Sequence, residues 1–173
     1  MKKLKIIVAG IGLTLASTSF GKMTATAALA GAIPTFGLVY ATSIGDTEGA
    51  LQVTKSLVLT GAVTTFLKYS INRRRPDGTD QLSFPSGHAS IAFCGATFLH
   101  MRYGLKFGIP MYLGAAAVSY ERVDSDKHYW VDVIGGAAVG ILASFVHTTR
   151  YGEIYPAYNP KTRAYSLNFV KKF

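Results

Sequence analysis

Two histidines, one aspartate and three cations hold the reactive chemistry of this chain. Pro85-Ser86-Gly87-His88 opens an apolar run that begins at Ala89. Pro85 cannot continue a helix from upstream, but it sits readily just before one starts. Ser86 is a good N-cap, and Gly87 lets a ligand approach the backbone closely. The Ser86 and Gly87 amides are therefore expected unpaired at a helix N-terminus, a ready anion site, with His88 beside them to give or take a proton. A second cluster runs Arg122, five residues, His128, three residues, Asp132. Residues four apart share a helix face, so the Asp132 carboxylate can hold the His128 imidazole in one tautomer. A third is Lys68, six residues, then Arg75-Pro76. Alone, Lys68 and Arg75 read as a solvated helix end, and His128 with Asp132 as a surface ion pair worth about 0–1 kcal/mol.

The three clusters together resemble the signature of the type 2 phosphatidic acid phosphatase superfamily: Lys-x6-Arg-Pro, then Pro-Ser-Gly-His, then Ser-Arg-x5-His-x3-Asp. They match it in order and spacing, and the resemblance runs from about Leu51 to His147. One position departs. Glu121 stands where the family has Ser, and a carboxylate beside a phosphate is expected to turn away, toward Arg122 or Lys127. The resemblance implies the roles. His128 would be the nucleophile and give a phosphohistidine, Asp132 would orient it, and His88 would be the general acid for the leaving oxygen. Lys68, Arg75, Arg122, Ser86 and Gly87 would bind the phosphoryl oxygens. Phosphoryl transfer asks mainly for positioning and charge stabilisation, which cations and a helix N-terminus supply. The scheme needs no metal and no cofactor. Asp124 and Asp126 have no further grouped ligands and read as a solvated loop. His100 and His147 lie too far along their helices to join the site.

The elements that must position these residues are apolar helices. The 173 residues suit one domain, 49% hydrophobic and 16% charged,. Soluble domains average about 25% charged, so the composition leans toward a membrane. The net charge of +9 fits anionic lipid or an anionic substrate, and no nucleic-acid motif accompanies it. Cys94, the single cysteine, reads as a small core residue. Residues 1–21 have basic, apolar and small-residue parts in turn, as in a signal peptide or a first transmembrane helix. Apolar segments follow at 24–43, 51–70, 87–101, 107–120 and 129–147, with Gly135, Gly136 and Gly140 as small packing faces. The expected fold is all-α, a membrane-embedded bundle of five or six helices with the site at one end. The helical domain spans 22–148. A tail spans 149–173, in which 165–169 alternates like a strand. The 87–101 and 107–120 runs are short for membrane spans, so a compact soluble bundle stays open.

Threading these helices with Met1 inside puts loops 71–86 and 121–128 on the outer side together. Arg102, Lys106 and the tail lysines then obey the positive-inside tendency, while Arg73, Arg74 and Arg75 violate it. A site that holds an anion on the outer face would explain the violation. The expected function is hydrolysis of a lipid phosphate or pyrophosphate (lipid A, undecaprenyl pyrophosphate or phosphatidate class) at the outer face of a bacterial cytoplasmic membrane. The expected partners are the lipid substrate and membrane lipids, with no nucleic acid. The rivals are a soluble periplasmic acid phosphatase, a vanadate-dependent haloperoxidase and a non-catalytic binder of anionic lipid.

Overall fold

The computed structural model describes residues 25–159 and 164–170. The stretch 1–21, expected as signal peptide or first membrane helix, lies outside the described residues. Among the described residues five helices form the bundle: α1 (Ala25–Ser43), α2 (Thr47–Ile71), α3 (Gly87–Tyr103), α4 (Leu105–Asp124) and α5 (Trp130–His147). α3 is the central one, and each of the others packs against it. The helix that opens with Gly87 and His88 is thus the axis of the bundle. Its buried face is built from Ala89, Ser90, Ala92, Cys94, Ala96, Phe98 and Leu99.

Close approach to α3 depends on glycine. A β-carbon on Gly140 of α5 would stand 2.1 Å from the Ser90 carbonyl oxygen, and one on Gly136 2.4 Å from that of Ser86. Gly95 of α3 faces the buried Pro34 of α1 in the same way, its added carbon 2.6 Å from the proline nitrogen.

The distribution of polarity is inverted relative to a water-soluble bundle. Along α2 the buried residues include Gln52, Ser56, Thr60 and Thr64, spaced by four, while Val58 and Phe66 are 68% and 70% exposed. The Ser56 and Thr60 hydroxyls donate to carbonyls one turn back, Gln52 at 2.8 Å and Ser56 at 2.7 Å, so they sit inside satisfied. Small and hydroxyl residues inside with large aliphatics outside is the pattern of helices packed in lipid, where burial of apolar surface drives no helix association. α1, α2 and α5 are each long and apolar enough to cross a membrane.

Helix boundaries differ from those read in the sequence where polar residues extend a helix. α2 starts at Thr47 because Asp46 caps it, its carboxylate accepting from Gly49 N–H at 3.0 Å,. α4 runs on to Asp124, giving 20 residues where the apolar run alone has fewer. The connection expected at 102–106 shrinks to Gly104, whose φ of +95° suits glycine,. Arg102, expected in that connection, is instead in the last turn of α3 and buried, with Asp46 oxygens at 2.6 and 2.9 Å. Tyr103 donates to the same carboxylate at 2.8 Å. This knot ties α1, α2 and α3 together at the end away from His88.

Beyond α5 the alternating stretch is a strand, β2 (Ala164–Val170). It pairs antiparallel with β1 (Glu153–Asn159), from Glu153 opposite Val170 to Asn159 opposite Ala164. The sequence offered only one of the two, because Pro156 interrupts the other. Both strands of a two-stranded ribbon are edges, where proline is tolerated.

Candidate active site

The chain builds the site from the ends of α2 and α4, the starts of α3 and α5, and the loops that join each pair. α2 stops just past Lys68 because Asn72 adopts the left-handed conformation (φ 50°), its N–H returning to Lys68 O at 3.0 Å. Asparagine tolerates that geometry better than most residues. Lys68 Nζ then reaches over to donate to the Leu82 carbonyl. The next loop, 72–86, closes on itself through Arg75 N–H to Asp80 O at 3.0 Å and Ser83 N–H to Arg73 O at 2.9 Å.

The five-residue spacing between Arg122 and His128 also has a local cause. The chain leaves α4 through a tight turn in which both Lys127 N–H (3.1 Å) and His128 N–H (3.0 Å) donate to the Arg122 carbonyl. Asp126 takes the left-handed conformation, φ 56°. The two loops are then joined. Asp77 N–H donates to Asp126 O at 3.1 Å, and Lys127 Nζ meets the Asp77 carboxylate at 2.6 Å. That ammonium, with bonds from Thr79, holds the Asp77 carboxyl well below the usual carboxylate range.

His128 is buried between them. Arg75 Nη1 stands 3.2 Å from its Nε2 and donates to the Lys127 carbonyl at 3.0 Å. A guanidinium has only donors, so Nε2 is the acceptor here and the proton of the neutral ring sits on Nδ1. Nδ1 faces Asp132 Oδ2 at 3.7 Å. Burial, with Arg75 and Lys68 nearby, pushes the imidazole pKa down to about 4 against the opposing pull of Asp132. The ring is therefore neutral at pH 7, with an unprotonated Nε2 directed at a cation. That is the state a nitrogen nucleophile requires.

Asp132 lies in the first turn of α5, fully buried. Its Oδ2 accepts from the Tyr129 N–H at 2.9 Å and from the Ser83 hydroxyl, and its Oδ1 is 3.4 Å from Arg73 Nη1. A helix N-terminus favours an anion at this place. The sequence alone assigns no role to Ser83. A hydroxyl in a loop carries no periodic signal, and only the fold brings it to the carboxylate.

The remaining expected site residues gather at the same end. His88 is half-buried in the first turn of α3, and its electrostatic neighbours are Arg122, Glu121, Arg75 and Lys68. A β-carbon on Gly87 would come within 4.0 Å of the Lys68 side chain. Ser86 differs from expectation. Its N–H is not free but donates to the Asp132 carbonyl at 2.9 Å, because α5 packs directly under the turn. Its hydroxyl makes no capping bond and is buried without a partner. Glu121 does turn toward Arg122, gripping it through two bonds of 2.6 and 2.7 Å. His100 and His147 lie apart from the site, the first against the Tyr112 hydroxyl at 3.3 Å, the second against the Ala143 carbonyl at 3.0 Å. Among the described residues no group of three or more His, Cys, Asp or Glu side chains converges as a metal site would require.

Residues 49–154 match the model of the PAP2 superfamily, which takes in Lys68, Arg75, His88, Arg122, His128 and Asp132. The chain belongs to the PAP2 superfamily. Lipid A 1-phosphatase of Porphyromonas gingivalis is 40% identical over 89 residues, covering 50% of this chain and 20% of that protein. Lipid phosphate phosphatase 2 of Arabidopsis thaliana is 29% identical over 150 residues, 61% of this chain and 50% of that protein. Lipid A 4'-phosphatase of Helicobacter pylori is 29% identical over 113 residues, 62% and 57% of the two chains. The chain thus spans between a fifth and rather more than half of the length of these PAP2 relatives. The crystal structure of Aquifex aeolicus LpxE superposes with a TM-score of 0.61 over 85% of this chain and 86% of that one, at 22% identity, and shares its fold.

Proposed function

We propose that this PAP2 chain is a membrane phosphatase that removes phosphate from a lipid phosphate or pyrophosphate through a phosphohistidine on His128. The observation that carries the proposal is the neutral His128 with Nε2 3.2 Å from Arg75 and Nδ1 turned toward Asp132. In the first step Nε2 forms a bond to phosphorus. The bond from phosphorus to the lipid oxygen breaks, and His88 protonates the leaving oxygen. In the second, His88 takes a proton from water, the water oxygen bonds to phosphorus, and the nitrogen–phosphorus bond breaks to release phosphate. Arg75, Lys68 and Arg122, with the Gly87 amide and the Ser86 hydroxyl, stabilise the charge on the transferring group.

Among the described residues three helices are able to span a bilayer, and with the resemblance to lipid A and lipid phosphate phosphatases they support a lipid substrate, lipid A among the candidates. They favour a membrane enzyme over a soluble phosphatase. In this reading residues 22–148 are the catalytic unit, 149–173 a tail and 1–21 a signal peptide or first membrane helix. The site opens to the outer side of a bacterial cytoplasmic membrane. The test is phosphate release by detergent-purified protein on a panel of lipid phosphates and a soluble phosphomonoester, with chelator present. We expect release from lipid phosphate, abolished by His128→Ala and His88→Ala. Substantial turnover by the His128 variant would sink the assignment of the nucleophile.

A further inference from the structure

The Asp132 carboxylate is held from three directions. The Ser83 hydroxyl and the Tyr129 amide both donate to Oδ2, and Arg73 faces Oδ1 at 3.4 Å. Ser83 and Asp132 are both fully buried. Arg73 itself is placed, its guanidinium 4.5 Å from the centre of the Tyr129 ring and its carbonyl accepting from Ser83 N–H at 2.9 Å. Neither Ser83 nor Arg73 bonds His128 through its own side chain, although the Ser83 backbone carbonyl faces the imidazole; Nδ1 stands 3.7 Å from the carboxylate.

We propose that Ser83 and Arg73 are positioning residues that fix the Asp132 carboxylate in line with Nδ1 of His128, and so set the rate of phosphoryl transfer without binding phosphate. The proposal rests on His128 being the nucleophile. A buried carboxylate lacking partners swings or takes up a proton. A hydroxyl and a guanidinium oppose both. When Nε2 bonds to phosphorus the ring gains positive charge, and an anion already in line draws the Nδ1 proton into a hydrogen bond. The other charged groups facing this pair are Arg75 from the same loop and Lys68 from α2. Both belong to the proposed phosphate site and so cannot be varied without disturbing it. Ser83 and Arg73 can.

The full chain, purified in detergent, is assayed on a lipid phosphate as wild type, Ser83→Ala, Arg73→Gln, Arg73→Lys and His128→Ala. We expect Ser83→Ala to lower kcat about 10- to 100-fold, the usual cost of losing a group that orients a functional histidine from behind. KM should stay within about twofold, because no phosphate contact is lost. Losing the donated bond or the charge leaves more of the Asp132 negative charge facing the imidazole, which favours protonated His128,. The acid limb of kcat/KM therefore moves up, by about half to one pH unit. Arg73→Gln should move it the same way, and Arg73→Lys should leave it near the wild-type position. Unchanged kcat and an unmoved acid limb in Ser83→Ala and Arg73→Gln overturn the proposal, as does a rise in KM at constant kcat. Should Ser83→Ala fail to fold, Arg73→Gln decides alone, since its side chain is 39% exposed. An active wild type with a dead His128 variant and normal Ser83 and Arg73 variants defeats this proposal only. An inactive wild type, or an active His128 variant, defeats the phosphohistidine reading beneath it.

Discussion

Arg122 meets its site half-neutralised. Glu121 holds it through two bonds, and the carboxylate is partly open to solvent while the guanidinium is buried. An anionic substrate must therefore compete with Glu121 for this cation. An ion pair of partial exposure is worth up to about 1 kcal/mol, or about fivefold in affinity. Glu121→Gln should thus strengthen competitive inhibition by phosphate or orthovanadate about three- to fivefold, an effect reduced in high salt. Unaltered inhibition constants would mean that Arg122 does not reach the bound anion. At His128 the sign is also fixed. Burial and two cations hold its pKa down to about 4, so the imidazole is unprotonated down to mildly acid pH. A pH profile should keep kcat/KM from falling until well below pH 6.5, and an acid limb near 6.5 would contradict the burial. At this scale much was legible beforehand, because reactive residues obey spacing. His88, His128, Asp132, Lys68, Arg75 and Arg122 gather as their order suggested. The spent amide of Ser86 was not legible, since its acceptor is the Asp132 carbonyl, forty-six positions on in the chain. Nothing local to either residue announces that bond.

The proposed acid and the proposed nucleophile sit on different elements, His88 on α3 and His128 just before α5. Their relation is set by how closely those two helices pack. The distance of approach is fixed at Gly136 and Gly140, whose faces lie on backbone atoms of α3. An added methyl at 140 would meet the Ser90 carbonyl oxygen at 2.1 Å and the Cys94 nitrogen at 2.8 Å. Backbone cannot rotate aside, so the helices must separate. Overpacking of this kind costs about 1–3 kcal/mol or more. Gly140→Ala should lower the melting temperature in detergent and reduce kcat by displacing His88 from His128. Gly61→Ala in α2, where an added carbon has nothing within 4 Å, is the matched control and should leave both unchanged. Equal behaviour of the two variants would show that the α3–α5 contact does not set the site. The helices themselves were readable as apolar runs, and the glycines as small packing faces. What periodicity could not supply was the polar lining of α2 or the buried Asp46–Arg102 pair, since a charged residue at the end of an apolar run reads equally well as solvated.

For the molecule as a whole, the proposed threading sets three consecutive arginines, Arg73, Arg74 and Arg75, on the outer side, where they are costly to explain as surface charge,. The structure gives two of them internal work: Arg75 faces Nε2 of His128 and Arg73 faces Asp132. Arg74 runs along the same loop, near Gly78. Positive charge committed to the site is not available to hold a loop on the inner side, so the departure from the positive-inside tendency becomes a consequence of the site. The threading then has a direct test. Cys94, the single cysteine, is buried, and Cys94→Ser gives a background for new thiols. Gln81 lies exposed in the 72–86 loop, and Lys106 lies exposed at the start of α4, at the other end of the bundle. In intact cells whose outer barrier has been opened, a membrane-impermeant maleimide should label Gln81→Cys at once. Lys106→Cys should react only after the cytoplasmic membrane is permeabilised. The reverse pattern would place the histidines on the inner side and remove the reason offered for the arginines. Labelling of both without permeabilisation would mean that the bundle does not cross the bilayer, and that its outward aliphatic faces are covered by something other than lipid.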